Sequence, residues 1–276
     1  MIQFPMFESL LSIFAGILQG VTEFLPISSS GHLILFHEYF KINFPDTLAF
    51  DVVLHLGTLI ALLFYFFDDV KKYLAAWFQS IVKPDLKNSK EQLLAWYLFL
   101  ATLPAAIIGF YFEQIVEVYL RNSIIVAIML IAFGILLYLA DTFFQKSKKI
   151  TELSLRGALI IGLAQALALI PGVSRSGITI IAGLSQKLQR EQAARFSFLL
   201  SIPIVFGAGL KKLLDLQQID ANQVFILLIG FTASAVVGYF VIKYFLKFLQ
   251  SHSLKIFAYY RITLGLVILT ALLFSF

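Results

Sequence analysis

Cysteine is absent from the 276-residue chain, which excludes disulfides and thiolate metal ligands. Charge is scarce. Only 13% of residues are Asp, Glu, Lys or Arg, against about 25% in a soluble domain. Long alternating apolar–polar segments are missing, which excludes a membrane β-barrel, whose spans would be about 10-residue alternating strands. No Lys or Arg precedes Lys41, so the N-terminus lacks the basic flank of a signal peptide and residues 1–40 read as part of the mature fold.

What is abundant is apolar sequence. Hydrophobic residues make up 60% of the chain and the mean hydropathy is +0.90. No soluble core of this size hides that much apolar surface, so the composition predicts an all-α polytopic membrane protein. The net charge of +5 does not argue for nucleic acid, because in a membrane protein the placement of basic residues matters more than their sum.

One stretch occurs twice. Gly16–Leu33 reads GILQGVTEFLPISSSGHL, and Gly162–Thr179 reads GLAQALALIPGVSRSGIT. A shift of 146 residues pairs Gly16 with Gly162, Gln19 with Gln165, Ser28 with Ser174, Ser30 with Ser176 and Gly31 with Gly177. Each copy is an apolar run too short to span comfortably, broken by Pro26 or Pro171 and a Ser/Gly cluster, then resumed. Two short helices around a polar break read as a re-entrant hairpin, tolerated at membrane depth where it is buried in protein or lines a wet cavity. Three apolar segments follow each hairpin: 48–67, 93–112 and 124–144, then 196–214, 224–245 and 257–276. An odd number of spans inverts the second half. The expected architecture is one integral membrane domain, 1–276, of two inverted-topology repeats, about 1–145 and 146–276, each a broken-helix hairpin plus three transmembrane helices. Segment 68–91 reads as a polar loop. Gly230, Ser234 and Gly238 form a small-residue stripe for close helix packing.

Placing the N-terminus on one side puts sixteen basic residues in loops on the opposite side, among them Lys71, Lys146, Lys187 and Arg261. Only Lys41, Arg121, Lys211 and Lys212 share the N-terminal side, and Arg175 lies in the membrane. This asymmetry predicts both termini outside and the first hairpin entering from outside.

Glu23 and Arg175 are the charges placed deepest. A charge at the bilayer centre costs about 2.5–3.5 kcal/mol on insertion scales, so such residues pair structurally or serve function. The hydroxyls of Ser28, Ser29, Ser30, Ser174 and Ser176 around them favour function. The Ser174–Gly177 turn opens a helix, and its free N–H groups, with the Arg175 fork, suit an anion such as phosphate. His32 follows Glu23 closely enough to meet it and suits acid–base chemistry. Asp51 and His55 fit equally a support for the site or a structural pair. His37 and His252 read as interfacial.

The segments Gln19–Glu23, Leu25–His32 and Pro171–Thr179 together resemble the undecaprenyl-diphosphate phosphatase family, the BacA/UppP type linked to bacitracin resistance, and the resemblance runs along essentially the whole chain. It implies a bacterial inner-membrane hydrolase that takes one phosphate from undecaprenyl diphosphate and returns the monophosphate lipid carrier to cell-wall synthesis. The charge asymmetry predicts that the site faces outside. It carries catalytic roles to Glu23, Ser29, His32 and Arg175. Phosphate contacts fall to Gln19, Ser28, Ser30, Ser174, Ser176 and Gly177. The nucleophile is left open between Ser29, His32 and a water. Where the family allows Glu or Gln, this chain has Gln19, which disfavours a metal held between two carboxylates. A divalent cation, magnesium or calcium, at Glu23 is compatible with the chain, without a dedicated cage. The expected partners are a polyprenyl diphosphate lipid and the bilayer, with a homodimer left open. The rival reading is a polyprenyl-phosphate flippase or transporter on the same inverted-repeat site.

Overall fold

A computed structural model describes residues 6–40, 47–215 and 221–274, which places Lys41 outside the described residues. The described residues form eleven α-helices and no strand. Six of these helices are long and apolar enough to cross a membrane. They are α3 (Thr47–Tyr65), α5 (Lys90–Ile115), α6 (Ser123–Phe143), α9 (Arg190–Asp215), α10 (Ala221–Leu249) and α11 (Lys255–Phe274). All six coincide with the apolar segments of the sequence, and the chain is a multi-pass membrane protein.

The two broken elements form as helix, break, helix. α1 (Met6–Phe24) stops before Pro26, and α2 (Ser29–Phe40) resumes beyond it. α7 (Leu155–Ala166) tightens through a short 3₁₀ turn at Leu167–Leu169, and α8 (Arg175–Ser185) resumes after Pro171. A proline lacks the N–H the helix needs and pushes the residue before it out of the helical region, so each helix must end there.

α1 is built inside out. Ser12, Ala15, Gly16, Gln19, Gly20 and Glu23 are buried, while Phe7, Leu10, Phe14 and Ile17 are exposed. A small and polar stripe faces protein, and the apolar face is left for lipid. The stripe meets Gly230, Ser234 and Gly238 of α10, all buried. A Cβ on Gly20 would stand 2.9 Å from the Ser234 carbonyl oxygen, so the helices touch backbone to backbone. Ser12 Oγ adds a 2.6 Å bond to the Ile226 carbonyl.

The packing is reciprocal. α1 lies on α10, and α7 lies on α5; α3 packs on α10, and α9 packs on α5. α3 also meets α9, and α6 meets α11.

Segment 68–91 is not a plain loop. It contains α4 (Phe67–Val82), which packs on α5 through Trp77 and Trp96, 5.7 Å between ring centroids, and a 2.9 Å bond from Trp96 Nε1 to Ser80 Oγ. Leu74, Phe78 and Ile81 stay exposed at helical spacing beside Lys71 and Lys72. An amphipathic helix of this kind suits the lipid–water boundary, and the density of charge hid it from a search for spans.

Candidate active site

The two breaks meet. Ser176 Oγ, from the second, donates to the Leu25 carbonyl of the first at 3.0 Å. Ser28 and Ser174 hold φ at 75° and 72°, a left-handed conformation that non-glycine residues rarely adopt. Such conformations cost about 1–3 kcal/mol and persist where the surroundings enforce them. In each break the turn is fixed the same way. Ser28 Oγ accepts from Gly31 N at 3.3 Å, and Ser174 Oγ accepts from Gly177 N at 3.1 Å. Each also lies near the serine two residues on, Ser30 at 3.4 Å and Ser176 at 3.2 Å.

Glu23, in the last turn of α1, is the hub and is 7% exposed. Its Oε1 accepts from Arg175 Nη2 at 2.7 Å. Its Oε2 accepts from Ser29 Oγ at 2.6 Å and Gln19 Nε2 at 3.1 Å. His55 Nε2 stands 3.4 Å from the same oxygen. A carboxylate at a helix C-terminus opposes the helix dipole, so these donors are what make the position tenable. Arg175 donates a second bond, from Nη1 to the Ser197 carbonyl at 3.1 Å, which fixes the plane of its fork.

Gln19, Glu23, Ser29 and Arg175 therefore form one connected network. His32 is buried in the first turn of α2, but its hydrogen bonds go elsewhere. Nδ1 donates to the Ser28 carbonyl at 2.7 Å, which leaves Nε2 to face the Tyr260 hydroxyl at 2.8 Å. The turn brings Ser29, not His32, onto Glu23, because α2 starts at Ser29 and carries residue 32 one turn onward.

Asp51 and His55 divide their tasks. His55 Nδ1 donates to the Asp51 carbonyl at 2.7 Å, which aims Nε2 at Glu23. The Asp51 carboxylate takes Arg121 Nη2 at 2.8 Å and His37 Nε2 at 2.7 Å, so His37 is tied to α3. His252 is exposed in the turn after α10.

Tyr260 and Arg261 were missed by sequence reading. The count of loop charges assigned Arg261 to the loop before the last span. It lies inside α11 and is 0% exposed; with it removed, fifteen basic residues remain on that side. The available signal was an Arg embedded in an apolar run, which by default marks function or pairing.

Gln165, the counterpart of Gln19, is 2% exposed, and neither polar atom of its amide has a hydrogen-bond partner. The reason is local: the residue four positions on is Leu169, where the first copy has Glu23.

Among the described residues no group of three or more His, Asp or Glu side chains could hold a metal ion. Glu23 is the carboxylate at this centre, so its donor set fits a divalent cation only jointly with oxygens of a ligand.

Fold and site define a polytopic membrane protein with a part-buried carboxylate–guanidinium–hydroxyl centre between two broken helices. The model of the family described as bacitracin resistance protein BacA matches residues 12–267, and the chain belongs to this family. It is 48% identical over 265 residues to an undecaprenyl-diphosphatase of Geotalea daltonii, covering 94% of this chain and 97% of that one. It is 45% identical over 262 residues to an undecaprenyl-diphosphatase of Desulforudis audaxviator, covering 95% and 97%. A third, from Rubrobacter xylanophilus, is 43% identical over 272 residues, covering 97% and 100%.

Proposed function

We propose that this chain is an undecaprenyl-diphosphatase of the bacterial inner membrane, hydrolysing undecaprenyl diphosphate to undecaprenyl phosphate and inorganic phosphate. The observation that carries the reading is the Ser29–Glu23–Arg175 network, a hydroxyl, a carboxylate and a planar cation within hydrogen-bond reach. A flippase needs charge recognition but no hydroxyl held on a carboxylate, and the relatives' names favour the enzyme as well.

Phosphoryl transfer is mostly positioning and charge stabilisation. Arg175 and the N–H groups at the starts of α2 and α8 take the terminal phosphoryl oxygens. Ser29 Oγ attacks the terminal phosphorus and gives its proton to Glu23; the bond to the bridging oxygen breaks and undecaprenyl phosphate leaves. Water then attacks phosphoserine, releasing phosphate, and the Glu23 proton returns to Ser29. Gln19 and His55 hold Glu23 aimed at Ser29. His32, fixed by Ser28 and Tyr260, acts on the outgoing groups. Ser28, Ser30, Ser174, Ser176 and Gly177 shape the two turns whose N–H groups receive phosphate. A divalent cation, when bound, neutralises diphosphate charge, and Glu23 is the residue that would hold it.

The two halves are read as inverted-topology repeats, 1–145 and 146–276, in one membrane domain. The matching left-handed serines and the reciprocal packing of α1 on α10 and α7 on α5 support this reading. With the basic loops in the cytoplasm, both termini and the site face outside. The exposed apolar residues face lipid, and a homodimer would bury part of them.

The test is product analysis in detergent, where transport has no meaning. Purified protein should convert undecaprenyl diphosphate to equal amounts of monophosphate lipid and phosphate; folded protein that binds the lipid without cleaving it would return the flippase reading.

A further inference from the structure

Arg261 is a fully buried cation with no acid beside it. None of the ion pairs among the described residues includes it. Its guanidinium is spent on carbonyls. Nη1 donates to the Pro26 carbonyl at 3.1 Å, and Nη2 donates to the Gly172 and Val173 carbonyls at 2.8 and 2.9 Å. Longer contacts of 3.4 Å reach the Met129 and Leu130 carbonyls of α6. Pro26 and Gly172 are equivalent under the 146-residue shift. One side chain thus grips the same carbonyl in both breaks, two residues before the left-handed serine in each.

The arrangement has an electrostatic consequence. Each break offers a ligand two opposite ends, a helix C-terminus rich in free carbonyls and a helix N-terminus rich in free N–H groups. The first repels an anion and the second attracts it. Arg261 occupies break carbonyls, which weakens their repulsion of an anion. Glu23 and Arg175 cancel each other, so the charge of Arg261 is left over at the centre. An uncompensated buried cation is costly on its own and complements a diphosphate.

We infer that Arg261 is a positioning residue for the anion. It acts through the Pro26, Gly172 and Val173 carbonyls on both breaks, and it supplies the unpaired positive charge that sets affinity for the diphosphate without touching it. This inference rests on the proposed phosphate site. It is independent of whether that site cleaves its ligand.

The test is binding of inorganic pyrophosphate to purified wild type, Arg261→Met and Arg261→Lys, by calorimetry, beside KM and kcat for undecaprenyl diphosphate. Arg261→Met should weaken pyrophosphate binding about tenfold or more, which is about 1.4 kcal/mol. It should raise KM more than it lowers kcat. Arg261→Lys, which keeps the charge but not the fork, should recover most of the affinity even if its melting temperature falls. A folded Arg261→Met that binds pyrophosphate like wild type would overturn the inference. So would an Arg261→Lys as weak as Arg261→Met, since the side chain would then be a strut alone.

If Arg261→Met does not fold, Arg261→Lys carries the test alone, because it keeps the charge and loses the fork. Pyrophosphate binding close to that of wild type is expected, and a loss of about tenfold or more, about 1.4 kcal/mol, overturns the inference. Wild type that binds no pyrophosphate would sink the phosphate-site reading and this inference with it. Binding that depends on Arg261 without any phosphate release would sink the hydrolase reading alone.

Discussion

Ser29 Oγ donates to Glu23 Oε2 at 2.6 Å across the first break, from the first residue of α2 to the last turn of α1. The bond joins a hydroxyl to a base that Arg175, from the other half of the chain, holds by its second oxygen. A hydroxyl and a cation are thus joined through one carboxylate, although 152 residues separate Glu23 from Arg175 in sequence.

If Ser29 is the nucleophile, Ser29→Ala abolishes turnover and leaves the fold intact, because the hydroxyl is only part-buried. Reaction quenched during turnover should yield a wild-type peptide phosphorylated at Ser29. Substantial steady-state activity in Ser29→Ala would transfer the role to His32 or to water.

Tyr260 touches His32 alone among the proposed catalytic groups. Tyr260→Phe removes one hydrogen bond, worth about 0.5–1.5 kcal/mol. The expected loss is on the order of three- to tenfold in kcat, with pyrophosphate affinity unchanged. A loss as deep as that of His32→Ala would mean that the phenol itself takes part in the chemistry.

The α1–α10 contact should be sensitive to size. Gly20→Leu cannot be accommodated against the Ser234 carbonyl without moving α1, and overpacking of this kind costs about 1–3 kcal/mol or more. Glu23 lies one turn further along α1, so activity should fall together with the melting temperature. A Gly20→Leu protein of unchanged stability would show that the two helices are not in backbone contact.

Gln165 should respond in the opposite sense. Its buried amide lacks partners, and an unsatisfied buried polar group costs about 1–3 kcal/mol. Gln165→Leu should raise the melting temperature of the detergent-solubilised protein. A fall would show that the amide has a partner in solution.

Much of the fold was legible because membranes force a simple pattern. Each of the six spanning helices is a long apolar run, and Pro26 and Pro171 mark where the chain must break. The Gly230–Ser234–Gly238 stripe could be read from spacing alone. α4 was missed because its Lys and Asp residues look like a loop when only spans are sought. At the site, residue types pointed to Glu23, Ser29 and Arg175, since charges in broken apolar helices are costly unless they pair or serve function. His32 was expected on Glu23 from proximity in sequence, but the helical turn after Ser29 carries it to Tyr260. Arg261 left only the signal of an Arg in an apolar run, because its partners are backbone carbonyls, which no side-chain pattern records.

The most direct measurement is phosphate release from undecaprenyl diphosphate by purified wild type beside Arg175→Ala. The account expects release by wild type and a fall of about a hundredfold or more in the variant, the usual scale for losing a charge-stabilising donor. The variant should also be less stable, since Glu23 loses its buried partner. Release by a folded Arg175→Ala at the wild-type rate, or none by folded wild type, would contradict it.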